Sequence, residues 1–222
     1  ATGDGHLLAE RAGAELVNMK YVEIVPGGPV SIAHVIRLDI YPDRMIMVNA
    51  RGERFVDERS DRGTLGEAIL SQPDGIAYTL ADDATVASSD ILDQKYLYQA
   101  LHAGVVMRAK NVAGLARKLS VPERALEKTV KEACMRSRAG APCRPILRKP
   151  PYWAQKIELH IHVTLGGVKI NSSARVLDAQ NNPIAGLFAA GEIVGNLHGA
   201  VRLGGNGVSS AIVFGRIAGQ SI

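Results

Sequence analysis

The run His198-Gly199-Ala200-Val201-Arg202-Leu203-Gly204-Gly205-Asn206 constrains this chain more than any other stretch. It sets a histidine and an arginine among glycines, and through Asn206 and Gly207 it feeds the apolar run Val208 to Ile217, which reads as a helix. Glycines let the backbone come close to a bound group. A loop entering a helix start offers free N–H groups and partial positive charge, which suits an anionic or electron-rich ligand. The pattern points to a cofactor or substrate edge. The competing reading is a tight turn that closes a structural helix.

Bulk properties narrow the classes. At 222 residues the chain holds one large domain or two small ones. With 46% hydrophobic and 22% charged residues it has an ordinary globular composition. The formal net charge is +4 and no block of five like charges occurs, which argues against a nucleic-acid partner and leaves room for a small anionic or carbonyl substrate. No apolar run approaches the ~20 residues of a membrane span. Cys134 and Cys143 form neither a metal set nor a disulfide framework, so they read as free thiols in a reducing, cytoplasmic setting, with a single bridge as the alternative. The chain opens without Met in a loop-like stretch. It therefore reads as a fragment, a processed product or one half of a split protein.

Element patterns divide the chain. Thr2 to Asp4 can cap a first helix with Leu7, Leu8, Ala12 and Ala14 on its apolar side. Tyr21 to Val25 reads as a short apolar strand stopped by Pro26-Gly27-Gly28-Pro29, a first boundary. Met45 to Val48 and Arg54 to Val56 read as a hairpin about Arg51-Gly52. Helices are expected over Leu65 to Ser71, Asp90 to His102, Val112 to Leu119 and Pro122 to Arg138, with a strand over Gly75 to Leu80. Ala139 to Pro151 reads as a linker and a second boundary. Beyond it come short strands over Ile157 to Thr164, Val168 to Ile170, Ala174 to Leu177 and Gly186 to Glu192.

Three pieces could carry chemistry. The strand Gly186 to Gly191 ends in Glu192, and in open α/β sheets ligands sit beyond the carboxyl ends of strands; a surface Glu is the equal alternative. His160 and His162 alternate on one strand face, but no third ligand stands near, so metal binding is disfavoured against satisfied histidines. Arg54 to Arg62 carries both signs of charge and reads as a salt-bridged, solvated loop.

These pieces, taken in order, resemble a known family. Ala1-Thr2-Gly3-Asp4-Gly5, Gly52 to Glu58, His162 to Gly167, Gly186 to Glu192 and His198 to Asn206 follow the order and spacing of the FAD-dependent fumarate reductase and succinate dehydrogenase flavoprotein superfamily. The chain is most similar to its soluble flavocytochrome-type members. The resemblance implies an α/β fold: the C-terminal half of an FAD-binding domain (residues 1–27 and 153–222) plus an inserted α+β capping domain (28–152). It implies non-covalent FAD and an oxidoreductase that reduces or forms a C=C bond beside a carboxylate or carbonyl. By the family pattern Arg62 delivers the proton, His162 binds substrate, and Arg202 clamps its carboxylate. Thr2, Gly3, Asp4, Val163, Gly191, Glu192, Arg202, Gly205, Gly207 and Val208 fall at cofactor-contact positions. A guanidinium, normally cationic, also suits bidentate carboxylate binding, and two arginines with a histidine would polarise an unsaturated acid.

The chain departs from the pattern at several positions. A second substrate histidine is replaced by Val25, the proton-relay Glu and Arg by Leu38 and Tyr41, and an Asn by Val201. The relay is then broken, or rerouted through Asp39, Asp57 or Asp61. With one carboxylate anchor missing, a bulkier or less charged enoate, or the reverse dehydrogenation, fits as well as fumarate. No Gly-x-Gly-x-x-Gly fingerprint precedes Thr2, so the chain alone is expected to bind FAD poorly, its missing half coming from upstream sequence or from a partner chain. The rival to the enzyme is a degenerate relative serving as a binding or assembly module.

Overall fold

The computed structural model describes residues 2–28, 44–89, 91–135 and 144–221. In chain order the elements are α1 (Asp4–Arg11), β1 (Leu16–Val17), β2 (Val22–Gly27), β3 (Met45–Asn49), α2 (Arg62–Leu70), a 3-10 turn (Pro73–Gly75), β4 (Ala77–Asp82), α3 (Asp83–Ala87), α4 (Ile91–His102) and β5 (Val106–Ala109). They continue as α5 (Val112–Leu119), α6 (Glu123–Glu132), β6 (Cys134–Met135), β7 (Arg144–Pro145), β8 (Tyr152–Lys156), β9 (Glu158–Thr164), β10 (Gly167–Val168), β11 (Arg175–Leu177), β12 (Pro183–Phe188) and α7 (Asn206–Gln220). The chain forms two units, one of residues 1–24 and 161–222 and one of residues 25–160, and the boundary falls inside both β2 and β9, which pair with each other.

The 25–160 unit is built on a four-stranded antiparallel sheet in the order β3-β4-β8-β5. Every residue of β3 is buried. Alternation sends Met45 and Met47 to one face with Leu65, Ile69, Leu97, Ala100 and Trp153, and Ile46 and Val48 to the other with Leu115, Leu119, Leu126 and Ala154. A strand buried on both faces reads as an unbroken apolar run, as Met45 to Val48 does. Trp153 is fully buried; Tyr98 meets it edge-on at 5.5 Å, the Arg108 guanidinium lies 4.9 Å over its ring, and its Nε1–H donates to Asp83 at 3.1 Å. Three helices start on side-chain caps: Asp61 accepts from Thr64 N–H, Asp82 from Thr85 N–H and Asn111 from Gly114 N–H.

The other unit uses smaller pieces. β1 pairs with β10 and β11 with β12, both antiparallel, and a core of Ala9, Ala14, Val168, Ile170, Val176 and Val194 packs between them, α1 and α7. The β9–β10 connection demands glycine. A Cβ at Gly167 would stand 2.0 Å from the Ile193 carbonyl oxygen, and one at Gly195 would stand 2.3 Å from the Gly167 nitrogen. No helix among the described residues is long and apolar enough to cross a membrane.

Several elements differ from expectation. Thr2 does not cap α1, because its hydroxyl donates to the Asp4 carboxylate at 2.7 Å and the N-cap is Gly3, at φ 83°. β2 runs on through Pro26 and Gly27; a two-stranded ribbon has open edges, where a proline's missing N–H costs nothing. The hairpin partner of β3 shrinks to one bridge, Val48 to Arg54, since the Glu58 carboxylate takes the Met47 N–H at 2.7 Å. α6 stops at Glu132, because Ala133 turns extended and its carbonyl accepts from Ile146 N–H; residues 136–138 lie outside the described residues. The expected linker is partly core, with Ile146 and Leu147 buried beside α5 and α6. The strand expected to reach Glu192 ends at Phe188, where its partner β11 runs out. Asp90 and Cys143 lie outside the described residues.

Candidate active site

In the unit of residues 1–24 and 161–222, one buried charge gathers two of the expected site residues. β2 carries Glu23, with a side chain only 2% exposed, between Val22 and Ile24. Its Oε2 accepts from an Arg202 terminal nitrogen at 2.7 Å and from His162 Nδ1 at 2.9 Å. That Arg202 nitrogen lies 3.3 Å from His162 Nδ1. β9 positions His162, the loop before α7 positions Arg202, and the guanidinium lies 3.1 Å from where a Cβ on Gly207 would stand, so the first turn of α7 leaves it room. A buried guanidinium without an anion would carry a heavy desolvation cost, which Glu23 offsets.

These distances set the chemistry. With a hydrogen on Nδ1, His162 donates to the Glu23 carboxylate. Its ring is 46% exposed, and among the described residues Nε2 has no partner. Arg202 Nε is buried without a hydrogen-bond partner. His198 sits nearby with Nε2 3.3 Å from the Ser210 hydroxyl. Burial, and secondly the charge of Arg202, push the His198 pKa below 6.5, with Glu23 pulling the other way. The cluster therefore presents donors of fixed orientation on a part-buried surface, which suits a carboxylate or carbonyl oxygen.

The remaining expected residues fall as follows. Arg62 is the first residue of α2, half-buried, in the 25–160 unit. Val163 lies within β9, and Val201 is 47% exposed. Glu192 accepts from Thr164 N–H at 2.9 Å and from its hydroxyl at 3.2 Å. Gly3 and Gly205 are N-caps in the left-handed region, and neither helix start has a side-chain cap. Thr2, Gly3 and Asp4 at α1, Gly205, Gly207 and Val208 at α7, and Gly191 beside Glu192 are the residues that could hold FAD. The observation that fits the two helix starts to it is open space: a Cβ on Gly3 or Gly205 would meet nothing within 4 Å. Of the relay candidates, Asp57 is held by Arg59 and Asp61 caps α2, while Leu38, Asp39 and Tyr41 lie outside the described residues. Glu58 corrects the solvated-loop reading: it is 2% exposed and binds Arg54 as well as the Met47 N–H. The two histidines go separate ways, His160 Nε2 donating to the Gly28 carbonyl at 2.9 Å and His162 to Glu23. No cluster of three metal-ligating side chains occurs among the described residues.

Sequence reasoning passed over Glu23. The signal available was a lone carboxylate inside an otherwise apolar strand, where burial without a cationic partner is prohibitive.

Comparison with known proteins gives the family. A family model described as FAD binding domain matches residues 1–208. The chain is 36% identical to a probable fumarate reductase of Shewanella frigidimarina, with all of the chain and 38% of that protein aligned. It is 35% identical to an NADH:acrylate oxidoreductase of Vibrio harveyi, covering 99% of the chain and 22% of that protein. It thus spans between about a fifth and two fifths of the length of these relatives. Among solved structures, the open conformation of a flavocytochrome c3 fumarate reductase matches with TM-score 0.74 and 35% identity, over 99% of this chain and 39% of that one.

Proposed function

This chain belongs to the FAD binding domain family, in its fumarate reductase-like branch, with FAD as the family's cofactor, and on that premise we propose that it serves an oxidoreductase acting on a C=C bond beside a carboxylate or carbonyl. The observation that carries this reading is the convergence of His162 and Arg202 on one buried carboxylate. Relatives named for fumarate and acrylate support the substrate class, an α,β-unsaturated acid or its saturated counterpart. The unit of residues 1–24 and 161–222 acts as a portion of the flavin domain, and the 25–160 unit acts as the cap.

When bound, FAD would supply the hydride chemistry. The protein's own residues do the rest. Arg202 and His162 hold the acceptor's oxygen atoms, and fixed donors there stabilise negative charge as it develops on the conjugated carbonyl or carboxylate. Glu23 holds both donors in place. Arg62 gives its proton to the neighbouring carbon, completing the addition. Thr2, Gly3, Asp4, Val163, Gly191, Glu192, Arg202, Gly205, Gly207 and Val208 would hold the flavin.

The test is turnover of a panel of enoates by the flavin-loaded protein, followed as oxidation of reduced flavin. Arg62→Ala is expected to cost about 10²–10⁴-fold in the rate of the chemical step. Unaltered turnover would remove Arg62 from this role. A second reading, in which the chain is one half of a split flavoenzyme or a non-catalytic assembly module, is favoured by the exposed Leu7, Leu8, Val208 and Ile212 on α1 and α7. Native mass spectrometry and the flavin spectrum of the purified chain separate the readings: a colourless, folded monomer supports the module, and a yellow protein supports the enzyme.

A further inference from the structure

The charge balance around Arg202 bears on which acceptors can bind. Glu23 is 2% exposed and Arg202 7% exposed, so neither charge is diluted by water, and they touch at 2.7 Å. Seen from a ligand a few ångströms away, the pair is a dipole of nearly zero net charge rather than a free cation. His162 adds a positive charge only when protonated, because its Nδ1 hydrogen is committed to Glu23 and Nε2 is otherwise a neutral acceptor. His198, whose pKa burial and Arg202 hold down, adds none near neutral pH. Among the described residues of this unit, the cluster therefore turns little net positive charge toward a bound anion.

We infer that Glu23 is a specificity-determining residue: by neutralising Arg202 from behind, it tunes the clamp for acceptors bearing one negative charge or none, and against dicarboxylates. This rests on the reading that His162 and Arg202 hold the acceptor. The hydrogen-bonding capacity of the guanidinium survives the pairing, since one terminal nitrogen faces Glu23 and the group has five N–H donors. The clamp thus keeps its directional donors while losing its long-range pull on anions. A second carboxylate would enter with its own desolvation cost, and the paired guanidinium would do little to repay it. Glu23 acts through Arg202 and His162 and is a positioning residue for both.

The experiment measures dissociation constants of crotonamide, crotonate and fumarate for the oxidised, flavin-loaded protein by perturbation of the flavin absorbance, a condition without turnover. Crotonate and crotonamide are expected to bind at least about tenfold more tightly than fumarate, given the Coulomb penalty of an unpaired charge at such distances. Glu23→Gln is expected to move the crotonate-to-fumarate ratio about tenfold toward fumarate, whereas Glu23→Asp, which keeps the charge, is expected to retain the original preference. A second readout needs no flavin. The ¹⁵N shifts of His162 should report the Nδ1–H tautomer in the parent chain and a shift toward Nε2–H in Glu23→Ala. A parent protein that binds fumarate as well as crotonate overturns the inference whether or not any variant folds, and so does a folded Glu23→Gln with an unchanged ratio. Failure of all three ligands to bind overturns the reading of the site itself, and the inference with it.

Discussion

The two units spend their burial differently. In residues 25–160 a four-stranded sheet is covered on both faces, and its largest side chains, Trp153, Met45, Ile46 and Leu80, are essentially inaccessible. In residues 1–24 and 161–222 the sheets are two-stranded, α7 buries no residue completely, and Val208, Ile212 and Val213 are more than half exposed. The most deeply enclosed polar contact of that unit is the Glu23–Arg202 ion pair. Apolar packing holds the first unit's fold in place, whereas the second relies on close backbone contacts and one enclosed charge pair. The lesson is that a region presenting functional groups keeps open faces, and a region that supports them closes its own.

That contrast can be broken at graded cost. Trp153→Ala removes the centre of the better packed unit and should lower stability by about 3–5 kcal/mol, read by urea unfolding followed by circular dichroism, since Trp153 is the only tryptophan. Arg202→Met takes the guanidinium away from the buried Glu23 carboxylate and is expected to cost a comparable ~3–5 kcal/mol, while the double variant Glu23→Leu/Arg202→Met should recover most of that loss. If the double variant is as unstable as the single, the charge pair is not what matters there. Asp61→Ala should remove about 1 kcal/mol by uncapping α2. Thr64, by donating its hydroxyl and N–H, holds the Asp61 pKa below 3.8. The folded form therefore prefers the ionised carboxyl. This part of the stability is present above pH 3.8 and disappears as pH falls through the lower folded value, so the variant should differ least from its parent in strong acid. Smallest of all, Ile212→Ser on the open face of α7 should change the stability of the isolated chain by less than about 0.5 kcal/mol. A loss as large as that of a core position would show α7 to be covered after all, and the contrast would fall.

Much of this architecture can be read from residue patterns. The unbroken apolar run Met45 to Val48 announces a strand enclosed on both faces, and Val112 to Leu119 matches α5 residue for residue. The boundaries that were missed are those set by distant partners. α6 carries good helical residues beyond Glu132, yet a pairing between Ala133 and Ile146 draws the chain out of the helix. β12 stops where its three-residue partner stops, which nothing in Gly186 to Glu192 announces. At the site, the alternation of His160 and His162 was legible, but their separate hydrogen-bond partners were not. Glu23 was hidden for a simple reason: a carboxylate in an apolar strand looks like a surface residue until a guanidinium 179 residues away arrives beside it.

The contact between Gly167 and Gly195 has a genetic consequence. Saturation mutagenesis of the chain, scored only for soluble folded product, should return no substitute at either position, because even one added methyl group would overlap a peptide bond at 2.0–2.3 Å. Neither position has been assigned to substrate or flavin here, so blanks there would mark the integrity of the scaffold, and a screen for lost activity would need to set them aside before naming any residue catalytic.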